Sequence, residues 1–149
     1  METAFGKRLD RVRQASPLVH CISNLVTAND CANVVLAAGA SPIMADAPEE
    51  VREITALSRA LCLSLGTPNP RKADAMFLAG RKAAELGLPV VFDPVGAGNT
   101  SLRRAESARL LDAVQFAVIR GNASEIRALA QRRAAGSGVD VSDADQITE

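Results

Sequence analysis

Five short apolar runs punctuate the chain, Leu18–Ser23, Pro42–Ala45, Leu61–Leu65, Pro89–Phe92 and Phe116–Ile119, each followed by polar or glycine-rich residues. Runs this short and nearly continuous in Val, Ile and Leu predict strands buried on both faces, since one-sided strands alternate apolar with polar. Between them the period changes. Over Arg71–Leu86, Ala73, Met76, Phe77, Gly80, Ala83 and Ala84 fall on one helical face, leaving Lys72, Asp74, Arg81, Lys82 and Glu85 for solvent. Gly87 is placed to stop that helix and Pro89 to open the next strand. Pro48-Glu-Glu-Val51 predicts another helix start, because proline suits a first turn and two carboxylates face the positive end of the helix dipole. Its expected buried stripe is Val51, Ile54, Leu57 and Leu61.

Buried strands alternating with amphipathic helices define an α/β chain: a mostly parallel sheet covered by helices on both faces, a three-layer αβα sandwich. In such sheets ligands bind outside the carboxyl ends of the strands, so the residues just past each run carry the information. They are Ser23-Asn24, Met44-Ala-Asp46, Gly66-Thr67, Asp93-Pro-Val-Gly-Ala-Gly98 and Arg120-Gly-Asn122, and all five tips should share one edge. After Ala130 neither apolar period nor a further strand is visible. Residues 1–130 are therefore expected to form the domain, and 131–149 a loop or frayed tail.

Composition narrows the partners. A chain of 149 residues suits one domain with one substantial core. Seventeen basic residues balance seventeen acidic ones, so no whole-protein field recruits nucleic acid or a membrane surface. Four Phe without Trp or Tyr leave no stacking platform for single strands. Small-molecule chemistry is the expectation that remains. Cys21, Cys31 and Cys62 are odd in number, lie in apolar surroundings and lack Cys-x-x-Cys spacing, which predicts buried thiols in a reducing compartment. The amino terminus lacks the apolar core of a signal peptide and no long uncharged apolar stretch follows, so the protein is expected in the cytoplasm.

Each strand tip admits two readings. Asn122 and Glu125, three apart, spell a capping box, yet with Arg120 they could equally hold a metal–phosphate complex, guanidinium being matched to phosphate. Asp93-Pro-Val-Gly-Ala-Gly98 is either a strand-to-helix turn or a carboxylate for magnesium beside a flexible backbone; Ser101 excludes a dinucleotide fingerprint, and no P-loop occurs. His20, the sole histidine, reads as a core imidazole before a catalytic base. Asn24 and Thr27 could cap the following helix, Asp46 could cap the next, and Met44 could be core filler.

The order of these segments distinguishes what no fragment does. Pro17-Leu-Val-His-Cys-Ile-Ser-Asn24, Asn29-Asp-Cys-Ala-Asn33, Gly39-Ala-Ser-Pro-Ile-Met-Ala-Asp46, Gly66-Thr67, Asp93-Pro-Val-Gly-Ala-Gly98 and Ile119-Arg-Gly-Asn-Ala-Ser-Glu125 together closely resemble the hydroxyethylthiazole kinases of thiamine salvage, ribokinase-like enzymes, over nearly all of residues 12–143. The resemblance implies ATP-dependent phosphorylation of the hydroxyl of hydroxyethylthiazole with Mg2+, in a homotrimer whose sites lie between subunits. By position it implies that Met44, Asn24 and Gly66 contact the thiazole, that Asp93 and Glu125 organise magnesium, and that Arg120 and Asn122 serve the ATP side.

The same resemblance sets a limit. The family pattern calls for a glycine-rich anion hole with a catalytic Cys or Asp, expected beyond Glu149, so no catalytic residue is assigned within this chain. Gly96-Ala-Gly98 follows a different strand and does not replace it. The chain is therefore expected to be truncated and, because loss of one such donor costs about 10²–10³ in rate, nearly inactive by itself. Two alternatives stay open: a binding or assembly fragment needing a complementary subunit, and a kinase for another small hydroxylated heterocycle.

Overall fold

The computed structural model describes residues 3–135. In chain order the elements are α1 (Ala4–Ala15), β1 (Leu18–Ile22), α2 (Ala28–Ala37), β2 (Ser41–Ile43), α3 (Val51–Leu57), β3 (Ala60–Ser64), α4 (Pro70–Leu86), β4 (Val90–Asp93), α5 (Ser101–Ala113), β5 (Val118–Ile119) and α6 (Ala123–Ala135). The strands form one sheet in the order β2-β1-β3-β4-β5, with every neighbouring pair parallel. All five predicted strands exist, each within a residue or two of its expected bounds.

Parallel pairing requires crossovers, and crossovers are right-handed. The chain steps from β1 to β2 in one direction and from β2 past β1 to β3, β4 and β5 in the other. Right-handedness then puts α2 on one face and α3, α4 and α5 on the opposite one. The reversal opens a crevice beyond the carboxyl ends of β1 and β3, the topological switch point at which such sheets take ligands.

The core lies under α3, α4 and α5. Ile22, Leu61, Leu63, Val90 and Phe92 from the strands pack with Val51, Met76, Ala79, Ala83 and Leu110 from the helices and with Val114 just after α5. Each large side chain so buried contributes about 1.5–3 kcal/mol. Helix α4 approaches its neighbours closely because position 80 is glycine: a Cβ there would lie 2.6 Å from Val114 Cγ2. The helix starts where Asn69 accepts the Lys72 N–H at 2.9 Å with Pro70 in the first turn, and it stops at Gly87, whose φ of 65° is left-handed. Phe92 stacks on Phe116 with centroids 4.9 Å apart, tying β4 to the segment before β5.

Several expectations are corrected. Helix α3 ends at Leu57, which is 70% exposed, and Leu61 belongs to β3; Val51 is buried as expected, and Thr55 is its buried companion on the helix. A helix this short turns only one edge inward. On α4, Lys72 is buried and Ala84 exposed, the reverse of the expected assignment. Lys72, Met76, Ala79 and Ala83 are spaced by four, three and four, so they form one stripe, and helical phase overrides charge. Helix α6 continues through residues 131–135, past the expected end of the domain; residues 136–149 lie outside the described residues. Cys21 is buried, but Cys31 and Cys62 are only half-buried; all three are free thiols. No described helix is long and apolar enough to cross a membrane. At the β5 edge, Val118 and Ile119 remain 51% and 37% exposed.

Candidate functional site

Because every strand runs the same way, the tips named from the sequence do share one edge. They divide into two groups.

The first group surrounds the β1/β3 crevice. Gly66 is buried against Asn24, and a Cβ at Gly66 would sit 2.5 Å from Asn24 Cβ, so only glycine permits this approach. The Asn24 Oδ1 accepts the Thr27 N–H at 2.9 Å, whereas Thr27, at the N-cap of α2, makes no side-chain cap bond. Thr67 holds φ at +46°, a region strained for a β-branched residue, and its hydroxyl accepts the Leu25 N–H at 3.1 Å. That bond joins the two strand tips. The Ser23 hydroxyl oxygen, in the residue after β1, is sealed from solvent with no hydrogen-bond partner among the described residues.

Met44 is half-buried in the segment after β2. His20 places that segment: its Nε2 lies 2.8 Å from the Ala45 carbonyl and its Nδ1 3.0 Å from Thr55 Oγ1. A carbonyl only accepts, so Nε2 carries the proton. Burial pushes the His20 pKa below its ordinary value, against the opposing pull of the Ala45 carbonyl and Glu50. The imidazole is thus neutral scaffolding. Asp46 is exposed and caps nothing; the N-cap position of α3 is Glu50. Cys21 and Cys62 occupy paired positions of β1 and β3. The neighbouring Cys62 thiol and burial drive the Cys21 pKa far up, leaving it an unreactive thiol.

The second group lies beyond β4 and β5. Asn122 Oδ1 accepts the Glu125 N–H and Glu125 Oε2 accepts the Asn122 N–H, both at 2.9 Å, so the capping box forms. The other carboxylate oxygen, Glu125 Oε1, accepts the Gly96 N–H at 2.9 Å and ties α6 to the Asp93–Gly98 loop. Gly96 has φ of +64°, which is why glycine occupies that turn. Arg120 Nη1 lies 3.2 Å from Asp93 Oδ2, with the arginine side chain 69% exposed and the aspartate 21%. The guanidinium is therefore anchored at one end yet open to a solvent-borne anion.

Ser64 joins the groups. Its hydroxyl accepts the Gly66 N–H and donates to Asp93 Oδ2, each at 3.4 Å. Thr67 was among the tips read from the sequence; Ser64, Lys72 and Arg103 are site neighbours that reading did not single out. The phase of Lys72 along α4 was the available signal; Ser64 and Arg103 had none.

Asp93 at the end of β4 and Glu125 in the first turn of α6 offer two carboxylates to a hard cation. Among the described residues no three His, Cys, Asp or Glu side chains come together as a cage. Such a donor set fits magnesium, which keeps its waters and takes one or two carboxylates together with substrate phosphate, and does not fit zinc.

A family model described as "Hydroxyethylthiazole kinase family" matches residues 9–148. The chain is 55% identical over 147 residues to a hydroxyethylthiazole kinase of Desulfovibrio desulfuricans, covering 99% of this chain and 52% of the relative. It is 52% identical over 137 residues to one of Ruminiclostridium cellulolyticum, covering 92% and 50%. A solved hydroxyethylthiazole kinase structure from Pyrococcus horikoshii OT3 superposes with a TM-score of 0.82 at 42% identity, over 88% of this chain and 51% of that one. The chain thus spans about half the length of the relatives it matches.

Proposed function

Since the chain belongs to the hydroxyethylthiazole kinase family, we propose that it supplies the substrate crevice and the metal–phosphate side of a site that phosphorylates the hydroxyl of hydroxyethylthiazole with ATP. In this reading Asn24, Met44 and Gly66 contact the thiazole. Arg120 pairs with ATP phosphate oxygens, and Asn122 holds Glu125 through the capping box. Asp93 and Glu125 hold the water shell of Mg2+, which when bound neutralises phosphate charge.

In the transfer, a new bond forms between the substrate hydroxyl oxygen and the terminal phosphorus while the bond to the ADP oxygen breaks. The hydroxyl proton is released to water, since no residue of this chain is assigned as its base. Catalysis of this kind is mostly alignment and charge neutralisation. Alignment is what the Ser64 link between Gly66 and Asp93 serves, because it couples the two groups of tips through one hydroxyl. This juxtaposition on a single sheet edge is the observation that carries the proposal.

A homotrimer with shared sites belongs to the same reading. Leu25 and Val26, beside Asn24, are 76% and 81% exposed, an apolar rim for a neighbouring subunit to cover. The exposed β5 edge favours a second reading: a binding or assembly unit that turns over only when complementary strands pair there.

The test is ATP-dependent phosphorylation of hydroxyethylthiazole by the protein expressed from its own gene, with Mg2+ present. Turnover of the thiazole supports the kinase. Binding without turnover, converted to turnover by a complementary chain, supports the second reading. Phosphorylation of a sugar or hydroxymethylpyrimidine with none of the thiazole sinks both.

A further inference from the structure

We propose that Lys72 and Arg103 are paired positioning residues that hook neighbouring strand tips together, Lys72 shaping the substrate crevice and Arg103 shaping the phosphate loop. The roles of those two regions rest on the kinase reading above; the hooks themselves do not.

The two residues occupy equivalent places. Each is the third residue of its helix, Lys72 in α4 and Arg103 in α5. Each gives its backbone N–H to the residue capping that helix: Lys72 to Asn69 Oδ1 at 2.9 Å, and Arg103 to Thr100 Oγ1 at 3.2 Å. Each side chain then turns back over the sheet edge. Lys72 Nζ donates to the Ser23 carbonyl, at the tip of β1, and to the Gly66 carbonyl at 3.4 Å, beyond β3. Arg103 Nη1 donates to the Leu65 carbonyl at 2.7 Å, beyond β3, and to the Val95 carbonyl in the loop after β4.

Consecutive carbonyls of one segment, Leu65 and Gly66, are therefore held by two different cations, Lys72 linking the segment to the tip of β1 and Arg103 linking it to the loop after β4. The tip of β3 becomes a pivot between two hooks. A cation in the first turn of a helix opposes the helix dipole, and Lys72 is in addition only 3% exposed. Neither placement is favourable for the helix alone. What offsets it is charge-assisted bonding to carbonyls that end the strands, with the Asp46 charge nearby for Lys72.

The consequences separate. Lys72 ties the segments bearing Asn24 and Gly66, so losing it loosens the crevice. Arg103 ties the Asp93–Gly98 loop, whose Gly96 N–H holds Glu125, so losing it loosens the phosphate side.

The experiment compares Lys72→Met and Arg103→Met in the protein expressed from its own gene, with Lys72→Gln replacing Lys72→Met should that variant not fold. Lys72→Met is expected to raise KM for hydroxyethylthiazole about tenfold with KM for ATP within about twofold, and Arg103→Met to do the reverse. Arg103→Lys, which keeps the charge but not the fork, recovers part of the loss.

Amide exchange provides the ligand-free arm, with Phe92 as the global reference. Lys72→Met speeds exchange at Leu25 and spares Gly96 and Ala97; Arg103→Met speeds Gly96 and Ala97 and spares Leu25. Equal effects of both variants on both KM values, or uniform acceleration of exchange, overturn the proposal. If the unaltered protein does not phosphorylate the thiazole, the kinase reading fails while the exchange pattern still decides the hooks.

Discussion

The two groups of strand tips are built by different physics. Around β1 and β3, position is set by packing: Gly66 is buried against Asn24, Lys72 is buried on the Ser23 and Gly66 carbonyls, and His20 pins the segment carrying Met44. Beyond β4 and β5, position is set by charged hydrogen bonds among accessible groups: Arg120 to Asp93, and Glu125 to the Asn122 and Gly96 amides. The contrast suits the ligands proposed for each. A small heterocycle is recognised by shape in a dry crevice, whereas polyphosphate arrives with charge and water and needs charged partners it can displace.

The largest expected effect falls on the charged side. Glu125→Ala should lower Mg2+-dependent turnover on the order of 10² while removing only ~0.5–2 kcal/mol of stability, the range for a lost cap. Steady-state kinetics beside urea unfolding separates these, and unchanged turnover with that stability loss would reduce Glu125 to a cap. Gly66→Ala tests the packed side. Its Cβ meets Asn24, so stability should fall by about 1–3 kcal/mol, as overpacking does, and thiazole affinity should fall with it. Stability unchanged in denaturant titration would show that the tips yield freely.

Smaller effects sharpen the contrast. Arg120→Met should raise KM for ATP roughly tenfold yet leave stability within about 0.5 kcal/mol, because its ion pair is mostly exposed. A KM change for the thiazole instead would reverse the assignment of the two sides. The smallest effect is a pH dependence at His20. Its folded pKa lies below the unfolded value of 6.5, so the unfolded chain binds the proton first and stability rises with pH. The contribution is present above pH 6.5 and is lost as pH falls through the folded pKa. Thermal melts of His20→Gln should lack that acid-side loss; the same slope in both proteins would place its origin elsewhere.

How much of this was legible in the chain depends on how local the determinants are. The strands were legible because each is a short apolar run bounded by proline, glycine or polar residues, as in Val90–Asp93. The tips were legible because an α/β alternation makes the strands parallel and brings Asn24, Met44, Gly66, Asp93 and Arg120 to one edge. The Asn122–Glu125 box was legible from a spacing of three. Lys72 was harder: its charge argues for solvent and its phase with Met76 argues for the core, and only the carbonyls of Ser23 and Gly66 resolve the conflict. Arg103 and Ser64 offered no pattern, since their partners lie 38 and 29 residues away in the chain.

By itself, then, the sequence determined the α/β class, the order of elements and the residues that collect at the strand ends, because periodicity, caps and turn residues act over a few positions. The tertiary structure alone decided the strand order and hence the crevice between β1 and β3, the buried lysine at its base and the double use of Glu125 by two amides. Those depend on which distant backbone groups meet. A buried donor or acceptor takes whatever partner the fold delivers, and local pattern does not name that partner.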